Sequence, residues 1–235
     1  MCDTIILMTK TFQIAIDGPV AAGKGTTSKM VAARLGYLYV DTGAMYRGLT
    51  LYAISRGVDS ENEMEVVSLI ENDQPRIELK IPDGDTKDGR LCTVILNGED
   101  VSWKIRTEEI SHAVSPVAQY TKIRDYVNTL ARQMASEEGV VMEGRDITGV
   151  VLPDANLKIY MDADPLERAK RRHRELMSRG EDISLEQVYR ELLERDRRDM
   201  KRNLKVVPGV WKLDTTGMSI DQVAEVIVKR VESLK

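Results

Sequence analysis

The chain has 235 residues, 42% of them hydrophobic and 31% charged, with 16 Gly and 7 Pro; this suits one sizeable domain or two small ones and excludes disordered, collagen-like and fibrous classes. A net charge of -4 disfavours a protein that works by neutralising many nucleic-acid phosphates, so no nucleic-acid partner is expected. The two cysteines, Cys2 and Cys92, form no C-x-x-C pair and have no histidine pair beside them, which argues against a zinc site or a disulfide-built secreted module and for a reducing cytosol.

Near the start, the apolar run Ile5 to Met8 is far shorter than a signal-peptide core, and nowhere do about 18 apolar residues run together. A soluble, unexported, cytoplasmic protein with no membrane partner is expected. Phe12 to Asp17 reads as a strand, followed at once by Gly-Pro and by a helical pattern through Met30, Val31 and Leu35 that stops at Gly36. Tyr37 to Val40, Gly139 to Met142, Leu157 to Met161 and Val210 to Leu213 are further short apolar strands. Alternating with helices, they predict a parallel sheet covered on both faces.

The stretch between the second and third of these strands is far longer than a crossover needs, so something is inserted. Arg76 to Ile81 alternates, and Leu91 to Leu96 leads into Asn97-Gly98, a tight-turn signal; together they predict a small antiparallel β element. Helices are expected beside it at Glu61 to Glu71 and Thr107 to Ser136. Pro165 to Ser178 and Ser184 to Asn203 read as two charged helices separated by Arg179 to Asp182. Charge is uneven here: Glu167 to Gly180 carries a local +4 and Arg190 to Lys205 a local +3, against -11 for the remainder. Such concentration suits a pocket for a small polyanion.

Gly18-Pro19-Val20-Ala21-Ala22-Gly23-Lys24 fits G-x-x-x-x-G-K and lies between a strand and a helix, where that motif works. Backbone N–H groups of such a loop and the positive end of the following helix cradle a polyphosphate, and Lys24 adds a mobile charge. Gly25 follows Lys24 where the strict motif has Ser or Thr, and the first hydroxyl is on Thr26. Direct hydroxyl ligation of magnesium is therefore not assured, and ATP phosphates and water can hold the ion instead.

This Gly-Lys-Gly-Thr variant resembles the loop of nucleoside monophosphate kinases. Asp41 to Arg47, Ile105 to Glu109, Glu143-Gly144-Arg145-Asp146, Pro153 to Ala155 and Glu194 to Asp199 look like the signature segments of bacterial cytidylate kinases, in family order over nearly the whole chain. The resemblance implies a P-loop NTPase-like α/β fold: a parallel sheet flanked by helices, an inserted antiparallel element in the monophosphate-binding region, and a helical lid. It divides the single domain 1–235 into a core (11–58 and 137–235), an insert (59–136) and a lid (165–186). It implies transfer of the γ-phosphoryl group from ATP, with Mg2+, to CMP or dCMP by a monomer.

The resemblance places Gly18 to Thr26 at ATP and Lys24, Arg145, Arg171 and Arg195 around the moving phosphoryl group. It puts Thr42, Tyr46, Arg47 and Arg145 at the acceptor, Ser115, Arg124 and Asp146 at cytosine, and Arg195, Asp199 and Arg202 at the sugar, base and phosphates. The chemistry agrees. The transition state spreads negative charge over equatorial oxygens, so arginines should crowd the site. A phosphate monoester is already largely dianionic at neutral pH and needs no general base, which fits a chain whose histidines, His112 and His173, lie in no base–nucleophile arrangement. Cytosine's N4 amino group requires an acceptor, which Asp146 or Ser115 can supply, and Arg124 can donate to the ring acceptors. Positions 195, 199 and 202 share one helical stripe, although a solvated stripe with an Arg195–Asp199 ion pair fits the segment equally. Core packing and a site role both fit Tyr46, and the lid arginines are interchangeable at this level.

Two departures from the family pattern stand out. Val20 and Ala21 replace Ser and Gly, and a positive φ at Ala21 would cost about 1 kcal/mol or more. Thr148-Gly149 replaces Gly-Thr, so the turn there takes a path of its own. Other readings are a kinase for UMP or for a shikimate-type metabolite, and a P-loop switch suggested by the D-x-x-G of Asp146 to Gly149. The switch reading lacks an N-K-x-D guanine reader anywhere in the chain.

Overall fold

Each strand of the main sheet is a short apolar run closed by a polar or glycine residue. In the computed structural model, which describes residues 12–178, 180–202 (the side chain of Arg202 excepted) and 204–235, the chain runs β1 (Gln13–Asp17), α1 (Lys24–Leu35), β2 (Leu38–Asp41), α2 (Thr42–Ser55), α3 (Glu63–Asp73), β3 (Ile77–Lys80), β4 (Thr93–Leu96), β5 (Glu99–Asp100), α4 (Glu108–Val117), α5 (Thr121–Glu137), β6 (Val140–Gly144), β7 (Leu157–Asp162), α6 (Pro165–Ser178), α7 (Leu185–Arg202), β8 (Trp211–Asp214) and α8 (Ile220–Glu232). The run Ile5 to Met8, Cys2 and Arg179 lie outside the described residues.

Five strands form a parallel sheet in the order β2-β6-β1-β7-β8, with β1 at its centre. Ile14, Ile16, Met142, Ile159 and Met161 are fully buried between flanking helices, as the near-continuous apolar strands require. The register sets Asp17 beside Gly144 and Asp41 beside Glu143, so the carboxyl ends of β1, β2 and β6 open on one edge. In open parallel sheets that edge is where ligands bind.

The insert carries an antiparallel sheet ordered β3-β4-β5. Asn97 and Gly98 both have positive φ, 50° and 87°, the conformation a two-residue hairpin turn of the I′ kind needs.

The single helix expected from Thr107 to Ser136 is two helices, α4 and α5, broken at Ala118 to Tyr120. α4 runs through Pro116 and ends in tightened bonds from the Gln119 amide to the Pro116 carbonyl and from the Tyr120 amide to the Val117 carbonyl; Tyr120 then takes extended backbone, ψ 120°, ahead of α5. The segment Ile147 to Val151 after Asp146 is one π-helical turn.

α6 and α7 pack on each other around a second apolar cluster of Ala169, Leu176, Val188 and Leu192. Val20 and Ala21 join this cluster, so the tip of the phosphate loop rests on the α6–α7 hairpin.

Candidate active site

The phosphate loop begins where β1 ends. Gly18 has φ 155°, and a Cβ there would collide with the carbonyl oxygen of Met161 on β7, so only glycine fits. Ala21 takes φ 58°, the left-handed conformation that costs a residue with a Cβ about 1–2 kcal/mol. Gly23, at φ 88°, caps α1 without a side-chain bond, and the first turn holds no acidic residue, which leaves the helix N-terminus open to an anion.

Lys24 is 6% exposed and its Nζ donates to the Pro19 carbonyl at 2.8 Å. Burial, then the nearby Arg145 guanidinium, lowers its pKa, while Glu143 pulls it back up. Glu143 at the end of β6 is shifted the other way, first by burial and then by Asp41; Tyr39 donates its hydroxyl to it at 3.2 Å. A side chain starting at Gly25 would come within 3.3 Å of Glu143 Oε1 and of the Tyr39 hydroxyl. The room a Walker hydroxyl would fill is thus bounded by a carboxylate. Thr26 is exposed and Ala22 buried. Among the described residues no group of three or more His, Cys, Asp or Glu side chains is arranged to hold a metal ion.

On the opposite wall, α2 begins at Asp41, whose carboxylate accepts from the Ala44 amide. Thr42 is buried and its hydroxyl donates to the Glu143 carbonyl at 3.1 Å. Tyr46, one turn on, is half-buried, its hydroxyl pushed up to about 12 mainly by burial. Arg47 reaches across the insert, donating to the Ile105 carbonyl at 3.2 Å and to Ser111 Oγ at 2.9 Å. Arg124 of α5 forms an ion pair with Asp146 and also donates to the Ala118 carbonyl. Ser115, exposed on α4, makes no hydrogen bond through its hydroxyl to either of these partners.

Arg145 joins the two walls. Its NH1 donates to the Gly18 carbonyl at 2.9 Å and its Nε to Asp199 Oδ2 at 2.8 Å. Asp199 is therefore paired with Arg145 and not, as its i, i+4 spacing allowed, with Arg195. Arg195 is exposed to the water of the cleft and hydrogen-bonds to no described residue. The protein around it, and then Arg145, lower its pKa to about 10, so it stays protonated. The side chain of Arg202 lies outside the described residues.

The lid arginines separate by environment. Arg171 donates to the Thr215 carbonyl at 3.0 Å and lies 3.8 Å from where a Cβ on Gly23 would stand, beside the loop. Arg172 pairs with Glu175 at 2.8 Å on the surface. Arg168, not singled out from the sequence, is 3% exposed; it donates to the carbonyls of Ala163 and Val20 and to Asp196 Oδ2 at 2.7 Å. Also unforeseen were the roles of the buried Asp17 carboxylate and the half-buried Glu143 carboxylate. The one available signal was positional, since both end adjacent parallel strands.

The chain as a whole is similar to known proteins. A family model described as cytidylate kinase covers residues 14–233. A protein named cytidylate kinase from Bacillus cereus (strain ATCC 10987 / NRS 248) is 43% identical over 230 residues, covering 97% of this chain and 99% of its own. One so named from Bacillus thuringiensis (strain Al Hakam) is 43% identical over 224 residues, 94% of this chain and 96% of its own. A solved structure of an uncharacterized protein from Eubacterium ventriosum superposes with TM-score 0.53 at 12% identity, covering 95% of this chain and 99% of its own, a likeness of fold alone.

Proposed function

The chain belongs to the cytidylate kinase family, and from this we infer that it moves the γ-phosphoryl group of ATP onto CMP or dCMP, giving ADP and CDP or dCDP. The observation that carries the reading is the Arg145-Asp146 pair: one side chain touches the phosphate loop while its neighbour is paired with Arg124 on the insert. Donor and acceptor walls thereby meet in two consecutive residues.

In this reading the amides of Gly18 to Thr26 and the open end of α1 hold the ATP phosphates, and Lys24, held by the Pro19 carbonyl, swings to the outer ones. Arg145, Arg171 and Arg195 surround the moving group and stabilise the charge on its equatorial oxygens. Arg47 and Arg145 bind the acceptor phosphate near Thr42 and Tyr46. Asp146 accepts from cytosine N4, Arg124 and Ser115 meet the ring, and Arg195, Asp199 and Arg202 line the sugar side. The acceptor arrives as a dianion, so no side chain need remove a proton.

Mg2+ enters with ATP and, when bound, neutralises phosphate charge; the carboxylate beside Gly25, Glu143, is the protein group suited to its water shell. The insert 59–136 acts as the acceptor region, 165–186 as the lid that excludes water, and 11–58 with 137–235 as the core. No described helix is long and apolar enough to cross a membrane, and a cytoplasmic monomer is the form proposed. A kinase of UMP or of a shikimate-type metabolite is disfavoured by the family match.

The test is ADP release by the purified protein with ATP, magnesium and each nucleoside monophosphate. CMP and dCMP should be preferred; equal or faster turnover of UMP, AMP or GMP refutes the acceptor assignment.

A further inference from the structure

Asp17 is wholly buried, yet it is a carboxylate at the end of the central strand. Its Oδ1 accepts from the Ile147 amide at 2.8 Å; its Oδ2 accepts from the Thr148 amide at 2.8 Å and from the Thr148 hydroxyl at 2.6 Å. Those donors open the π-helical turn that follows Asp146 directly. On the other side of Asp17 comes Gly18, whose carbonyl accepts from Arg145. One buried group thus joins the root of the phosphate loop to the turn that directly follows Arg145 and Asp146. Strand pairing alone would not do this, because the β1–β6 register ends at Asp17 and Gly144, before either residue.

The chemistry of the group is informative. Burial disfavours the charged carboxyl, and an apolar side chain would fill the space at lower cost if only packing mattered. Three converging donors, however, need a group that only accepts. Asparagine would turn an NH2 toward at least one of them, whereas valine at 148 would delete one donor and keep the shape. Thr148 supplies the hydroxyl half of this clamp.

We propose that Asp17, with Thr148 as its hydroxyl partner, is a positioning residue that sets the reach of Arg145 and Asp146 relative to the phosphate loop. It touches no substrate. The proposal rests on the reading of the cleft as the phosphoryl-transfer site.

Thr148→Val, Thr148→Ser and Asp17→Asn test it, with kcat and KM for CMP and UMP, ATP affinity by titration, and thermal midpoints measured side by side. Misplacing a reacting group by a fraction of an ångström is expensive, so Thr148→Val should lose about tenfold or more in kcat with CMP and narrow the CMP-over-UMP preference, while ATP affinity changes by less than about threefold. Thr148→Ser, which restores the donor, should recover kcat to within about threefold of the parent. Unchanged kcat and preference in Thr148→Val overturns the proposal, as does a serine variant no better than valine. If Asp17→Asn fails to fold, the Thr148 pair still decides. Should the parent prefer another acceptor, the CMP reading falls, and the same kcat comparison is made with that acceptor.

Discussion

Arg168 and Asp196 form an ion pair inside the α6–α7 hairpin, 3% and 6% exposed. Asp196 Oδ1 has no hydrogen-bond partner, so Arg168 is the only group bonded to that carboxylate among the described residues. Arg168→Ala therefore strands a buried anion and also frees the carbonyls of Val20 and Ala163. Removing one partner of such a pair costs about 3–5 kcal/mol, which for a chain of this length lowers the thermal midpoint by roughly 6–20 °C. The loss should be local first: the loop at 180–183 between α6 and α7 should become the favoured site of limited proteolysis, ahead of global unfolding. Replacing both partners, Arg168→Met with Asp196→Leu, removes the stranded charge and should return stability to within about 2 kcal/mol of the parent. Thermal and urea unfolding followed by circular dichroism, with a protease digest, measure these effects. An Arg168→Ala midpoint within about 2 °C of the parent, or a double variant no better than the single, refutes the account.

Gly18→Ala should abolish ATP binding in a titration even where the protein still folds, since the new methyl meets backbone of β7 and cannot be accommodated by a rotamer change. Asp146→Ala should cut the ratio of kcat/KM for CMP over UMP about tenfold or more, because the acceptor for N4 is gone; an unchanged ratio moves base recognition elsewhere. A triphosphate beside Lys24 raises its burial-lowered pKa and pushes the already raised Glu143 further up, so both groups gain protons on binding. Magnesium-free ATP binding at about pH 8 should thus take up protons, read by calorimetry in two buffers of different ionisation enthalpy; proton release contradicts the assignment of Lys24 to the triphosphate.

What was legible in the sequence was whatever depends on neighbours along the chain. The phosphate loop is a linear motif, the Asn97-Gly98 turn a local one, and the conditional strain at Ala21 is realised at φ 58°. α4 and α5 look continuous because their apolar spacing runs through Ala118 to Tyr120, and they part where Tyr120 turns to extended backbone. Helical spacing offers Arg195 as one partner for Asp199, but Arg145 reaches it from the residue after β6, which no spacing rule can anticipate. Asp17, Glu143 and Arg168 acquire meaning through strand order and burial: β6 lies beside β1, with Gln13 paired to Val140 across the whole insert. Six basic residues in the first lid segment are alike on paper; among those described, Arg168 and Arg171 are told apart by the carbonyls they reach, those of Val20 and Thr215.

Cleft arginines and acids are coupled to each other: Arg124 to Asp146, and Arg145 to Asp199. An incoming molecule that offers nothing but negative charge would take a guanidinium away and abandon its carboxylate, a poor exchange in a partly desolvated place. One that presents an amino group or hydroxyls as well as a phosphate can satisfy both halves of a separated couple. At these two couples, therefore, a bare phosphate or sulfate gains less than a ligand that carries donors beside its phosphate.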